Sequence, residues 1–304
     1  MARMRVISDN DYAGDPDGLV QLAHLLLSPS VDVRAVIASH LAPGDIFDPT
    51  GRSAEHGRAS AERVARLAGA TGVPVLAGSE VGLDDGAHPS PAARAIVEEA
   101  LRDDPRPLYV TCGGGLTEIA AAWRAEPRIA AGIAAVVWIG GPEHDGPAPP
   151  GASVPEYNTA IDVTAARVVL DSDLPLWQVP RDAYRQVLVS RAELEQHLRS
   201  AGPLGAHLLS ALDGAWSLLA RHGVDLGETY DLGDTPLVLL TALQSAFQPD
   251  PSSSRYVTVP APGLSADGRY VPRPEGRAVR VYRDLDARLA VGDLFAKLAS
   301  WGRA

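Results

Sequence analysis

Short apolar runs alternate with helically spaced ones over the first two-thirds of the chain. Arg5 to Ser8 reads as a strand, Leu19 to Leu27 as a helix ended by Ser28-Pro29, and Val31 to Ala38 as a strand with a charged start. Glu55 to Ala70 has helical spacing, with Ala61, Val64, Leu67 and Ala68 on one face. The pattern continues as strand Val73 to Ala77, helix Pro91 to Arg102, strand Leu108 to Cys112, helix Leu116 to Arg124 and strand Ala134 to Ile139. Helix Val163 to Leu170 and strand Pro175 to Val179 complete it. Such alternation predicts an α/β fold with a Rossmann-like core: an open, mostly parallel sheet with helices on both faces. Every strand-to-helix junction then lies at one edge, where ligands bind in such sheets.

After Val179 the pattern changes. Arg191 to Arg199, Leu204 to Arg221 and Thr235 to Ser245 read as helices, Arg255 to Val259 and Ala278 to Tyr282 as short strands, and Leu285 to Ala299 as a last amphipathic helix. No linker is evident, so residues 1–304 are expected to form one domain, with a helical cap over about 185–230. The Pro/Gly-rich stretches 142–155 and 260–276 read as loops, the first as a pocket wall or a plain surface loop.

Composition narrows the function classes. At 304 residues and 46% hydrophobic content the chain can bury a large core. A net charge of -11 and the lack of any Lys/Arg cluster argue against nucleic acid and against an anionic membrane as partners. Arg greatly outnumbers Lys, of which Lys297 is the one example, and this reads as composition bias. The single cysteine, Cys112, excludes an intrachain disulfide and a multi-Cys zinc site. No signal-peptide pattern follows the N-terminus, and no apolar stretch reaches the ~18 residues needed to span a bilayer. The expected location is the cytoplasm.

Candidate chemistry concentrates at strand ends. After the first strand, Asp9, Asp11, Asp15 and Asp17 fall within nine residues. Carboxylates so crowded need an offsetting charge, and a hard cation with oxygen ligands supplies it. The alternative is a solvated Asp/Gly turn in which Asp15 or Asp17 caps the next helix. Gly113-Gly114-Gly115 exposes backbone after the fourth strand, either to a ligand or for a tight turn. Its spacing is not that of a dinucleotide-binding glycine motif. In Pro155-Glu156-Tyr157-Asn158, an extended segment would point Glu156 and Asn158 to one side, a carboxylate and an amide suited to a pair of sugar hydroxyls. Asp162 reads as a helix N-cap. Asp234, followed by Pro236, reads as a cap when taken alone, or as a carboxylate facing the first cluster.

Taken together, these segments resemble the inosine/uridine-preferring nucleoside hydrolases. Asp9-Asn10-Asp11 with Gly14-Asp15-Pro16-Asp17-Gly18 is similar to a lengthened form of that family's D-x-D-x-G-x-D-D loop. Gly114-Gly115-Leu116-Thr117-Glu118 resembles its G-G-L-T-N turn, Val137-Trp138-Ile139-Gly140-Gly141 its V-x-M-G-G strand end, and Glu156-Tyr157-Asn158 with Asp162 its E-F-N-x-x-x-D segment. Gly233-Asp234-Thr235-Pro236-Leu237 resembles its late H-D-P-L, and residues 71–78 its third strand. The motifs occur in family order over most of the chain.

The resemblance implies an enzyme that cleaves the N-glycosidic bond of a riboside with water, around a Ca²⁺ ion. It implies Asp11 as metal ligand and general base. Asp15, Asp17, Asp234 and the backbone carbonyl at Gly113 or Cys112 would complete the metal shell. Asp17, Glu156 and Asn158 would hold the ribose, with Ile139 and His40 beside the substrate. A homodimer or homotetramer is expected on the same ground. The chain also departs from the pattern. The family's paired Asp-Asp is Asp17-Gly18 here, with Asp15 two positions earlier, so either Asp15 and Asp17 share the two roles or one ligand is lost; the late His that helps protonate a leaving purine is Gly233. The Asn expected after strand two and the Asn expected before Glu156 are not evident. The sugar and metal floor is retained while the base side has changed. A modified or C-linked riboside as substrate, or a ribose-binding protein without turnover, are therefore the competing readings. Among remaining residues, Trp138 reads as a core or base-stacking residue, Cys112 as a buried small residue, and His88, His144 and His222 as solvated.

Overall fold

The computed structural model describes residues 2–86, 89–145, 148–247 and 250–303, so His88 lies outside the described residues. The strands are β1 (Met4–Asn10), β2 (Val31–Ala38), β3 (Val75–Ala77), β4 (Leu108–Cys112), β5 (Ala135–Ile139), β6 (Leu176–Val179), β7 (Leu188–Ser190), β8 (Thr229–Asp231), β9 (Arg255–Pro260), β10 (Gly263–Leu264), β11 (Tyr270–Val271) and β12 (Ala278–Asp284). The helices are α1 (Asp17–Leu26), α2 (Ser53–Leu67), α3 (Pro91–Ala100), α4 (Thr117–Ala125), α5 (Tyr157–Ile161), α6 (Val163–Asp171), α7 (Arg181–Tyr184), α8 (Arg191–Arg199), α9 (Gly202–Arg221), α10 (Pro236–Leu239) and α11 (Ala287–Trp301).

Eight strands form one sheet in the order β3-β2-β1-β4-β5-β6-β12-β9. All neighbours are parallel except β12 and β9. β1 is buried along its whole length, as a central strand covered on both faces must be. Its side chains alternate between two cores. Ile7 packs with Ile37, Val110, Ile96 of α3, Ile119 of α4 and Val169 of α6. Met4 and Val6 pack on the other face with Leu25, Val137 and Tyr282. Next to them Val36 joins Val64 of α2, Leu208 of α9 and Leu298 of α11.

Helix starts follow local chemistry. Ser90, Asp162, Ser190 and Asp286 accept the backbone N–H of Ala93, Ala165, Glu193 and Leu289, capping α3, α6, α8 and α11. Asp162 is thus the cap expected of it. The cap region contains α8 and α9, closed by the antiparallel pair β7–β8, which apolar patterning did not reveal. The expected helix from Thr235 shrinks to α10. Leu237, Val238, Leu239 and Leu240 are all buried, so the run has no polar face and its period carries little information. The expected loop 260–276 contains the short antiparallel pair β10–β11.

Candidate active site

The strand order reverses at β1, which has β2 on one side and β4 on the other. A crevice opens there, at the carboxyl ends of the strands. It holds a cavity of about 340 Å³. The turn from β1 to α1 contributes Asp11, Asp15 and Asp17, the end of β4 contributes Gly113, and the end of β5 contributes Ile139. Glu156, Tyr157 and Asn158 come from the start of α5, and Asp231, Gly233 and Asp234 from the turn between β8 and α10. Ile46 and Phe47, Tyr184 at the end of α7, and Leu219 of α9 form the more apolar wall.

The charged lining is five aspartates and Glu156, with no Lys, Arg or His among the described lining residues. Burial pushes the Asp11 carboxyl well above its ordinary value, and Asp234 and Asp15 push it further. Asp17 is raised by burial and then by Asp234, Asp15 and Asp231. Asp15 and Asp234 are raised chiefly by burial, each partly relieved by a donor, the Tyr230 hydroxyl and Asn10 respectively. Asp231 is pushed up to about 7, first by burial and then by Asp15. The set therefore resists holding all its charges at neutral pH unless a cation enters.

Several of these oxygens already have partners. Tyr230 donates to Asp15 Oδ1 at 2.6 Å, and the backbone N–H of Asp17 donates to the same atom at 3.3 Å. Asp15 lines the cavity; the N-cap of α1 is Pro16, which no side chain caps. Asp17 Oδ2 accepts the Asp234 N–H at 2.9 Å, and Asp234 Oδ2 accepts Asn10 Nδ2 at 2.8 Å. Asp234 therefore does not cap α10 with its side chain; Thr235 intervenes and Pro236 starts the helix. Among the described residues no three His, Cys, Asp or Glu side chains stand close enough to hold a metal ion as they are. The donor chemistry nonetheless fits a hard cation. The donors are all oxygen, mutually repelling and free of a compensating base, and Asp11 and Asp234 are each only 4% exposed.

Elsewhere in the lining, Glu156 is 1% exposed and its carboxylate takes four donors. Gly141 N–H, Thr159 N–H and Thr159 Oγ1 donate to Oε2, and the Tyr184 hydroxyl donates to Oε1. The extended segment expected here is instead the N-cap and first turn of α5, because the Glu156 side chain satisfies the helix's free Thr159 N–H. Asn158 still faces the same cavity. Its Nδ2 donates to Ile139 O at 2.8 Å and Gly113 O at 3.2 Å, tying the ends of β5 and β4 together.

His40 is the expected site residue that the structure does not bring to the cavity wall. It is 2% exposed, and burial lowers its pKa against the pull of Asp162, Glu118 and Glu80. Asp9 also leaves the cluster; it is buried, and burial and then Glu118 push its carboxyl well above its ordinary value. Asp9 lies within β1 and points to the opposite face from its neighbour Asn10, whereas Asp11 lies beyond the strand's end. Trp138 is a core residue whose Nε1 donates to Gly114 O, and Cys112 is fully buried. His144 is not solvated: it is half-buried, 2.9 Å from Gln178 Oε1, with its ring against Tyr270. Sequence reasoning missed Asn10, Asp231, Tyr184, Tyr230 and the wall of Ile46, Phe47 and Leu219. Asn10 stands inside the first acidic motif and Asp231 just ahead of the late one, but nothing local marks their long-range partners.

Comparison with known proteins bears on family and fold. The family model described as inosine-uridine preferring nucleoside hydrolase matches residues 6–290. The chain is 29% identical over 253 residues to the inosine-uridine preferring nucleoside hydrolase of Leishmania major, covering 75% of this chain and 76% of that protein. It is 26% identical over 231 residues to a pyrimidine-specific ribonucleoside hydrolase of Salmonella arizonae, covering 68% of this chain and 70% of that one. The crystal structure of an inosine-uridine preferring nucleoside hydrolase from Bacillus anthracis superposes with a TM-score of 0.72 at 17% identity, over 97% of this chain and 99% of that chain.

Proposed function

The chain belongs to the inosine-uridine preferring nucleoside hydrolase family, whose members are glycosidase-type enzymes, and on that footing we propose that it hydrolyses the N-glycosidic bond of a riboside at the carboxylate-lined cavity with Ca²⁺ bound. The observation that carries this reading is the convergence of Asp11, Asp15, Asp17 and Asp234 with Glu156 and Asn158 around one cavity that has no basic side chain in its described lining. Asp11, Asp17, Asp234 and the Gly113 carbonyl would hold the cation, with Asp15 beside them. When bound, the cation supplies positive charge that polarises a water and the ribose hydroxyls.

The residues divide the remaining work. Asp11, buried beside Asp234 and Asp15, takes the proton of the attacking water. Glu156, Asn158 and Asp17 hold the ribose hydroxyls, and Ile139 packs beside them. Positive charge develops on the sugar as the base departs, and the surrounding carboxylates stabilise it electrostatically. The apolar wall of Phe47, Ile46 and Leu219 is suited to the face of a base.

The leaving-group side holds no imidazole in its described lining. A Cβ at Gly233 would lie 3.5 Å from Asp17 Oδ2 and 3.8 Å from Asp231 Oδ1. Asp231, titrating near 7, is the proton donor available on that side. With a carboxyl and no imidazole on that side, modified ribosides stay in the test beside ordinary ones. The experiment is ribose release from inosine, uridine, modified ribosides and p-nitrophenyl riboside, with calcium and with chelator. Calcium-dependent release supports the reading. Calcium binding without release from any of them would instead support a ribose-binding protein.

The remaining parts of the reading are compatible with these observations. A small riboside is the expected partner, in a homodimer or homotetramer. No helix of the described residues is long and apolar enough to cross a membrane, and a cytoplasmic location is proposed.

A further inference from the structure

The chain departs from its family's loop pattern at Gly18, and the structure gives that glycine a specific neighbour. Asn10 is fully buried at the end of β1. Its Nδ2 donates to Asp234 Oδ2 at 2.8 Å, and its Oδ1 accepts the backbone N–H of Asp11 at 2.8 Å. One carboxamide therefore touches both Asp11 and Asp234, two carboxylate residues of the cavity more than two hundred positions apart in the chain. A Cβ at Gly113 would stand 2.3 Å from Asn10 Nδ2, and one at Gly18 would stand 3.1 Å from both Nδ2 and Oδ1. Neither glycine has a left-handed backbone, so space and not conformation explains the missing side chains. Gly18 lies in the first turn of α1, where alanine is otherwise favoured.

We propose that Asn10 is the positioning residue of the carboxylate site, setting Asp234 against Asp11, and that Gly18 and Gly113 are glycine because its carboxamide occupies their side-chain space. By occupying Asp234 Oδ2, the amide leaves the other oxygen of that carboxylate for the cation. This inference rests on the reading of Asp234 as a cation ligand.

The test is calorimetric titration of Ca²⁺ into the purified full chain, which needs no substrate and no turnover. Asp234→Asn should abolish binding. Asn10→Ala should weaken it about 10- to 100-fold, the range for residues that orient metal ligands. Gly18→Ala should weaken it severalfold, because the new methyl displaces Asn10, and should have no further effect in the Asn10→Ala background. That non-additivity is what a shared mechanism requires. Wild-type affinity in Asn10→Ala, with binding lost in Asp234→Asn, overturns the positioning role alone. No binding by the wild type, or unchanged binding in Asp234→Asn, overturns the cation reading and this inference with it. If Asn10→Ala does not fold, Gly18→Ala carries the test, and unchanged affinity there overturns the proposal.

Discussion

Asp11 sits where burial, Asp234 and Asp15 all oppose its ionisation, yet the chemistry proposed for it requires the ionised form. Replacing it by the isosteric amide removes the proton acceptor and one anionic donor together. Asp11→Asn is expected to lower kcat by about 10²- to 10⁴-fold, the usual contribution of a positioned acid or base, and to weaken calcium binding. Near-wild-type turnover would reassign the base. Asp231 is tested differently, by its leaving group. Asp231→Asn should slow inosine hydrolysis about 10²-fold, while p-nitrophenyl riboside, whose phenolate departs without a proton, should be little affected. Equal losses on both would remove Asp231 from the acid role. The contrast between the two residues is also one of legibility. Asp11 belongs to a local cluster whose charge density shows in the sequence. Asp231 acquires its raised pKa from burial and from Asp15, more than two hundred positions away, so its sequence neighbours could not reveal it.

Elements carry the site by where they end. β1, β4 and β5 were legible as apolar runs, and their ends deliver Asp11, Gly113 and Ile139 to one crevice. The short pairs β7–β8 and β10–β11 were not, because two or three residues give no measurable period. The turn at α5 shows the limit well. Alternating Glu156 and Asn158 looked like a strand, but the Glu156 carboxylate closes a helix start and so competes with extension. Asn158 joins elements too, through the carbonyls of Ile139 and Gly113. Asn158→Ala should therefore do two things. It should lower kcat/KM by weakening ribose recognition, and it should cost about 1–3 kcal/mol of stability by leaving two carbonyls without their donor. Chemical denaturation beside steady-state kinetics separates these. A variant with unchanged stability and unchanged kinetics would take Asn158 out of both roles.

For the whole molecule, proton, cation and fold are linked. Asp231 is pushed up to about 7 in the folded state, and Asp11, Asp17 and Asp234 are raised in the same direction. Unfolding returns each to the ordinary carboxylate range near 4. Between pH 4 and 7 the folded chain thus holds protons that the unfolded chain has released, so stability without a cation falls as pH rises through this window. On the proposed reading, the same ionisation that costs stability creates the cation site, and calcium competes with protons for these oxygens. Calcium should therefore raise Tm little at pH 5 and by several degrees at pH 8, the scale set by saturating a site at about 100 times its Kd. The net charge of -11 adds a general attraction for cations, which monovalent salt screens. Repeating the melts with magnesium, and with sodium at matched ionic strength, separates that screening from site occupancy. A Tm that rises equally in all three salts, or more at pH 5 than at pH 8, would mean that the cluster is not where calcium acts.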